Sequence, residues 1–245
     1  MIDSRQLREL ANHYQTTEDN IVREYFQHLF LSHLYRHKES DGLLFKGGTA
    51  LRIVWQSPRF SEDLDFTGID TPVAAIERIL EKTLVGLEAE GIRVDIDEAK
   101  KTSGGYFSIL QFQGGGNQGE IQLEISLRRA GKMKASTALI SSEFIPPFTL
   151  IHLNEKVLVR EKVEALLTRA KPRDFYDLYF MLRSRLAFKE VFQSEKSLKT
   201  KLLTAMATTE LDAKSELKRF LPVSQHGLLK NFKDILSAEI VRNLP

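Results

Sequence analysis

Cysteine is missing from all 245 residues. Without a thiol there is no disulfide framework and no thiolate metal centre, and a reducing compartment, the cytoplasm, is the expected setting. No apolar run approaches the roughly 18 residues of a membrane helix. The opening Met1-Ile2-Asp3-Ser4-Arg5 lacks the basic-then-apolar order of a secretory signal, so no membrane partner is expected. Strong net charge is missing too: 35 Lys and Arg face 33 Asp and Glu, leaving +2. So even a balance leaves nucleic-acid binding to be decided by where the positive charge falls. Internal repeats and low-complexity tracts are also lacking. What remains is an ordinary globular composition, 42% hydrophobic and 28% charged, long enough for one large domain or two small ones.

One stretch organises the chain. Leu43-Leu44-Phe45 reads as a short apolar strand, Gly47-Gly48 as a turn, and Thr49 to Gln56 as a short helix ended by Ser57-Pro58. A second strand follows with Asp63-Leu64-Asp65-Phe66. Side chains alternate across a strand, so Asp63 and Asp65 share one face while Leu64 and Phe66 turn to the core. Two carboxylates one strand repeat apart repel unless a cation lies between them, and hard oxygen ligands suit Mg²⁺ completed by water and phosphate oxygens. Gly47 and Gly48 supply backbone N–H groups free of side chains ahead of a helix, and Thr49 adds a hydroxyl donor. Together these residues predict a site for a metal–nucleotide complex. Asp95 and Asp97 repeat the same alternation with no glycine turn before them and read as surface.

Before this stretch, residues 1–40 read as helical, with Thr16-Thr17-Glu18-Asp19 as a cap and acidic first turn. His33 and His37 share a face there and read as the basic end of that helix rather than as metal ligands. After it, Thr71-Pro72 opens a helix to Glu90, and three strands are predicted at Ile92–Asp97, Tyr106–Gln113 and Glu120–Leu127. Gly114-Gly115-Gly116-Asn117 is a hairpin turn, because a strand and not a helix follows it. On the last strand Ile121, Leu123, Ile125 and Leu127 face one way and Glu120, Gln122, Glu124 and Ser126 the other. A basic run follows: Arg128, Arg129, Lys132 and Lys134. Ile145-Pro146-Pro147 marks the expected boundary between a domain at 1–145 and a helical one at 146–245. In the latter, Lys162 sits among Leu158, Val159, Ala165 and Leu166, where an ammonium needs an anion, either a carboxylate or a triphosphate. Pro172 starts another helix, on which Asp174 and Asp177 share a face; the plainest account is an acidic first turn favoured by the helix dipole.

Phe45-Lys46-Gly47-Gly48-Thr49-Ala50-Leu51-Arg52 with Arg59-Phe60-Ser61-Glu62-Asp63-Leu64-Asp65-Phe66 resembles the nucleotidyltransferase signature, a glycine pair followed by Asp-x-Asp. More narrowly it is similar to the AbiEii/AbiGii toxin family. A second block, Glu161-Lys162 with Lys171-Pro172-Arg173-Asp174-Phe175-Tyr176-Asp177-Leu178-Tyr179, is similar to the later half of that family's pattern. The resemblance implies an α+β fold: a nucleotidyltransferase-like mixed sheet with flanking helices, then a C-terminal helical domain contributing Lys162 and Asp174 to the site. It implies transfer of a nucleoside monophosphate from an NTP, with Mg²⁺ (Mn²⁺ as the substitute) on Asp63, Asp65 and a third carboxylate. That third ligand is expected to be Glu124, with Glu120 in reserve. Gly47, Gly48, Thr49, Arg59, Ser61 and Lys162 are expected to bind nucleotide, and Asp174 to orient the acceptor or act as a base. A tRNA 3′ end or other RNA as acceptor, a cognate antitoxin partner and a role in abortive infection are likewise implied. Two other outcomes stay open at this level: transfer to a small molecule or protein hydroxyl, and a nucleotide- or RNA-binding module without catalysis.

Overall fold

The computed structural model describes residues 1–129, 134–210 and 212–244, so Lys132 of the basic run lies outside the described residues. The chain divides into two compact units, Met1–Leu153 and Asn154–Pro245.

The first unit is built on a seven-stranded sheet in the order β3-β4-β5-β2-β1-β7-β6. Its strands are β1 (Leu43–Lys46), β2 (Leu64–Ile69), β3 (Arg93–Thr102), β4 (Gly105–Gly114), β5 (Asn117–Arg128), β6 (Ala135–Ile140) and β7 (Phe148–Leu153). β1 runs antiparallel to β2 and parallel to β7, and β2 runs parallel to β5, so the sheet is mixed. Helices α1 (Ser4–His13), α2 (Glu18–Leu34), α3 (Gly47–Ile53) and α4 (Val73–Ala89) accompany it. Thr17 caps α2 by accepting from the Asn20 N–H, the role its position predicts. Nearly every residue of α2 is buried: its Phe26 stacks on Phe112 of β4 with centroids 5.3 Å apart, and it also packs on α4 and β5. The core face of the sheet takes Phe45, Phe66, Leu64, Leu123, Ile125 and Leu110, all almost fully enclosed. Between β4 and β5 the turn holds Gly115 and Gly116 at φ of 63° and 80°, the left-handed conformation a tight two-residue hairpin requires.

β6 and β7 depart from expectation. The sequence after Pro147 reads as helical, yet Phe148–Leu153 joins the sheet beside β1, with Phe45 paired to His152. The unit boundary therefore falls at Leu153, not at 145. The prolines end one connection instead of one domain.

The second unit is helical: α5 (Glu155–Arg169), α6 (Pro172–Arg183), α7 (Phe188–Phe192), α8 (Leu198–Thr208), α9 (Ala213–Leu217) and α10 (Phe232–Asn243). Ala170 closes α5 in a left-handed conformation, φ 47°, and Pro172 opens α6 two residues later. α6 packs on α5, α9 and α10, with Tyr176 stacked on Phe232. No helix among the described residues is long and apolar enough to cross a membrane.

Candidate active site

The two halves of the organising stretch meet residue by residue. β1 and β2 pair antiparallel with Lys46 opposite Asp65, which brings the glycine turn after β1 onto the aspartates at the start of β2. Gly47 has φ +85°, and a β-carbon there would overlap the carboxylate of Asp65. A β-carbon on Gly48 would stand 2.6 Å from Nη2 of Arg59 and 2.8 Å from Oγ of Ser61. Gly47 needs glycine for its left-handed backbone and the carboxylate packed on it, and Gly48 lets a guanidinium and a hydroxyl come close to the backbone. Thr49 is fully buried, and its hydroxyl donates to the Asp63 carbonyl. The hydroxyl expected to serve a phosphate thus holds Asp63, one residue ahead of β2.

Arg59 is nearly buried, with Nη1 donating to the Phe60 carbonyl at 3.1 Å. Its guanidinium and the Ser61 hydroxyl thus converge on the same glycine, which gives the turn a cationic and a hydrogen-bonding wall. Gln27 of α2 donates from Nε2 to the carbonyls of Ser61 and Glu62, both at 3.0 Å, and so anchors the loop that carries them.

The third carboxylate follows from register. β2 and β5 run parallel with Asp65 opposite Glu124, Leu64 opposite Leu123 and Phe66 opposite Ile125. Asp65 and Glu124 are therefore neighbours on one face, one strand spacing of about 4.8 Å apart. Glu120 lies four residues before Glu124, beyond the start of the β2 pairing, and accepts from Gln111 at 2.7 Å. Of the two, Glu124 is the one beside Asp65. Asp95 and Asp97 are exposed, Asp95 paired with Arg93 and Asp97 with Gln111, in keeping with a surface reading.

A sequence model described as "Nucleotidyl transferase AbiEii toxin, Type IV TA system" matches residues 29–237. The chain belongs to that family. The match spans both the glycine turn and the aspartates, as well as α5 and α6. The chain is accordingly a nucleotidyltransferase of a toxin–antitoxin family. The nucleotidyltransferase toxin MenT4 of Mycobacterium tuberculosis superposes with a TM-score of 0.65 at 17% identity, covering 98% of this chain and 90% of that one. The protein JHP933 of Helicobacter pylori gives 0.62 at 20% identity, covering 93% and 92%. At such identities the likeness is one of fold. No curated protein sequence matches the chain.

Beneath the site of this AbiEii-family chain lies a second layer that sequence reasoning missed. Arg52 of α3 forms a fork with Glu24 of α2, its Nε 3.0 and 3.2 Å and its Nη2 3.1 Å from the carboxylate oxygens. The same guanidinium donates to the Ser57 carbonyl and lies 4.0 Å over the Phe60 ring. One side chain thus ties α3, α2 and the loop to Arg59 together. Burial raises the Glu24 carboxyl above its ordinary range, against the opposing pull of Arg52. His28, enclosed beside Phe144 and Phe148, is pushed down to about 3 by burial, with Arg52 adding to the effect. The only sequence signal for the clamp was Arg52 itself, since its partner stands 28 residues upstream.

His33 packs against Gly86 of α4 and lies 3.1 Å from Glu90. Among the described residues no group of three or more His, Asp or Glu converges tightly enough to hold a metal ion unaided.

In the helical unit, Lys162 of α5 donates to Asp177 of α6 at 2.8 Å, the two side chains 10% and 2% exposed. Of the two anions the sequence allowed, the structure holds a carboxylate there. Asp174 is buried, accepts from Arg169 at 2.8 and 2.6 Å and from the Lys171 N–H at 3.2 Å, and so caps α6. Asp174, expected to orient the acceptor or act as a base, is thus placed as an enclosed, bidentately held carboxylate at the start of α6.

Proposed function

We propose that the chain moves a nucleoside monophosphate from an NTP to an acceptor hydroxyl, with Asp63, Asp65 and Glu124 as the ligands of a divalent ion. The observation that carries this reading is the register of Asp65 with Glu124 on one side and the glycine turn pressed on Asp65 from the other. The donor set fits Mg²⁺, or Mn²⁺ in its place. It is all hard oxygen, and Mg²⁺ is ordinarily held by one or two carboxylates together with substrate phosphates. When bound, the ion neutralises charge on the triphosphate and lowers the pKa of the attacking hydroxyl.

The chain's own residues supply the positioning. The Arg59 guanidinium and the Ser61 hydroxyl meet at Gly48 and, with the N–H groups of Gly47 and Gly48, would bind the phosphates; Thr49, Gln27 and Arg52 fix the loop that carries them. Phosphoryl and nucleotidyl transfer depend on such placement and charge compensation more than on covalent catalysis.

The acceptor we assign is RNA, a tRNA 3′ end in the first instance, and the partner an antitoxin of the same type IV system; a role in abortive infection against phage accords with both. The test is incubation of the purified protein with Mg²⁺, total tRNA and each α-labelled NTP in turn. Label in RNA from one preferred NTP is the expected result. Label on protein or on a small molecule would replace the acceptor, and no transfer from any NTP would overturn the reading.

A further inference from the structure

The register that sets Glu124 beside Asp65 continues across the sheet. Glu124 of β5 is opposite Phe107 of β4, and Phe107 is opposite Lys100 of β3. Directly paired residues point to the same face, so Lys46, Asp65, Glu124, Phe107 and Lys100 form one row across five strands. The far end of the row opens on a cavity of about 350 Å³ lined by Lys100, Thr102, Phe107, Glu124 and Ser126 among others. Phe107 is half-buried, and the Lys100 ammonium lies 5.1 Å from its ring centre. Neither residue belongs to the core: Tyr106, Leu110 and Phe112, the neighbouring apolar residues of β4, are turned to the opposite face and fully enclosed. An aromatic face kept partly open beside a carboxylate is a poor use of a phenylalanine for stability alone.

We propose that Phe107 and Lys100 form the platform for the acceptor: Phe107 stacks the terminal base of a single-stranded nucleic-acid end, and Lys100 takes a backbone phosphate next to it. This rests on the nucleotidyltransfer reading above. Two features assign the cavity to the acceptor instead of the donor. The glycine turn, Arg59 and Ser61 lie on the β1 side of Asp65, whereas Phe107 lies on the other side, two strand spacings or about 10 Å away. In-line displacement at phosphorus needs the attacking oxygen and the leaving pyrophosphate on opposite sides. A leaving group held by the glycine turn therefore leaves the acceptor to approach from β5 and β4. The span of about 10 Å also suits a single nucleotide, whose base would rest on Phe107 while its sugar hydroxyl reaches the carboxylates. The second feature is charge: Lys100 pairs with the exposed Glu98 at 2.6 Å, a solvated contact that a phosphate readily replaces.

The test uses two readouts on the full chain. A labelled single-stranded oligoribonucleotide, without NTP, is titrated by fluorescence anisotropy, and steady-state transfer then gives separate KM values for RNA and NTP. Phe107→Ala is expected to weaken oligonucleotide binding about ten-fold or more and to raise the RNA KM in step, with the NTP KM unchanged. Phe107→Tyr, which keeps the ring, restores both. Lys100→Ala is expected to lower the salt dependence of binding by about one counterion. Unchanged oligonucleotide affinity in a folded Phe107→Ala variant would overturn the platform, and so would a change confined to the NTP KM. Because binding is read without turnover, failed transfer with ring-dependent binding would fault the nucleotidyltransfer reading and leave the platform standing.

Discussion

Asp65→Asn should reduce nucleotidyl transfer by roughly a thousand-fold or more while changing stability by less than about 1 kcal/mol. The asymmetry follows from where the carboxylate sits. Its backbone is fixed by pairing on both sides, with Lys46 and with Glu124, and the neighbouring Leu64 and Phe66 carry the core packing. The side chain itself faces the glycine turn and is only half-buried, and asparagine fills the same space against Gly47. What is lost is a charge that the metal–nucleotide complex needs. Thermal melting with and without NTP and Mg²⁺ separates the effects. The unliganded variant should melt with the wild type, and the ligand-induced rise should disappear. Full transfer by Asp65→Asn would remove this residue from the ligand set.

Lys162→Ala should behave in the opposite way, lowering stability by about 3–5 kcal/mol. The ammonium and the Asp177 carboxylate are both nearly excluded from water, and removing the lysine takes away an enclosed charge partner held at 2.8 Å. Replacing both, as in Lys162→Met with Asp177→Leu, should cost much less, because a well-packed apolar pair can substitute for a buried ion pair. Chemical denaturation of the single and double variants measures this directly. The double variant also separates two roles for Lys162. If the ammonium serves only Asp177, the refolded protein transfers normally. If it also serves the nucleotide, stability returns and the NTP KM stays raised.

The contrast between these residues shows what could be read from the sequence. The glycine turn and the Asp-x-Asp strand lie within twenty residues of each other, and local rules about glycine, alternation and helix starts suffice to join them. Contacts between distant segments left no such trace. Nothing in the chain announces that Glu24 holds Arg52, or that Asp177 holds Lys162, because those pairs depend on how helices dock. Lys162 could be recognised as needing an anion from its apolar neighbours on α5, but not which anion. Asp174 reads as catalytic by kinship and as an acidic first turn by its position at the start of α6. β7 escaped notice because two prolines before it resemble a domain boundary, and its partner β1 is more than a hundred residues earlier. β6 is an exposed edge strand whose alternation is weak. Glu124 reads as a polar-face residue of its strand and as the first choice over Glu120, and the β2–β5 register is what sets it beside Asp65.

That register sets Glu124, and not Glu120, beside Asp65. Glu124→Gln and Glu120→Gln make the same chemical change four residues apart on one strand face, so their comparison isolates position. Single-turnover transfer with saturating NTP and Mg²⁺ is the measurement. The account predicts that Glu124→Gln loses transfer by a hundred-fold or more, on the order of a lost electrostatic contact at a reacting centre, and that Glu120→Gln transfers like the wild type. Loss in Glu120→Gln with full transfer in Glu124→Gln would contradict it.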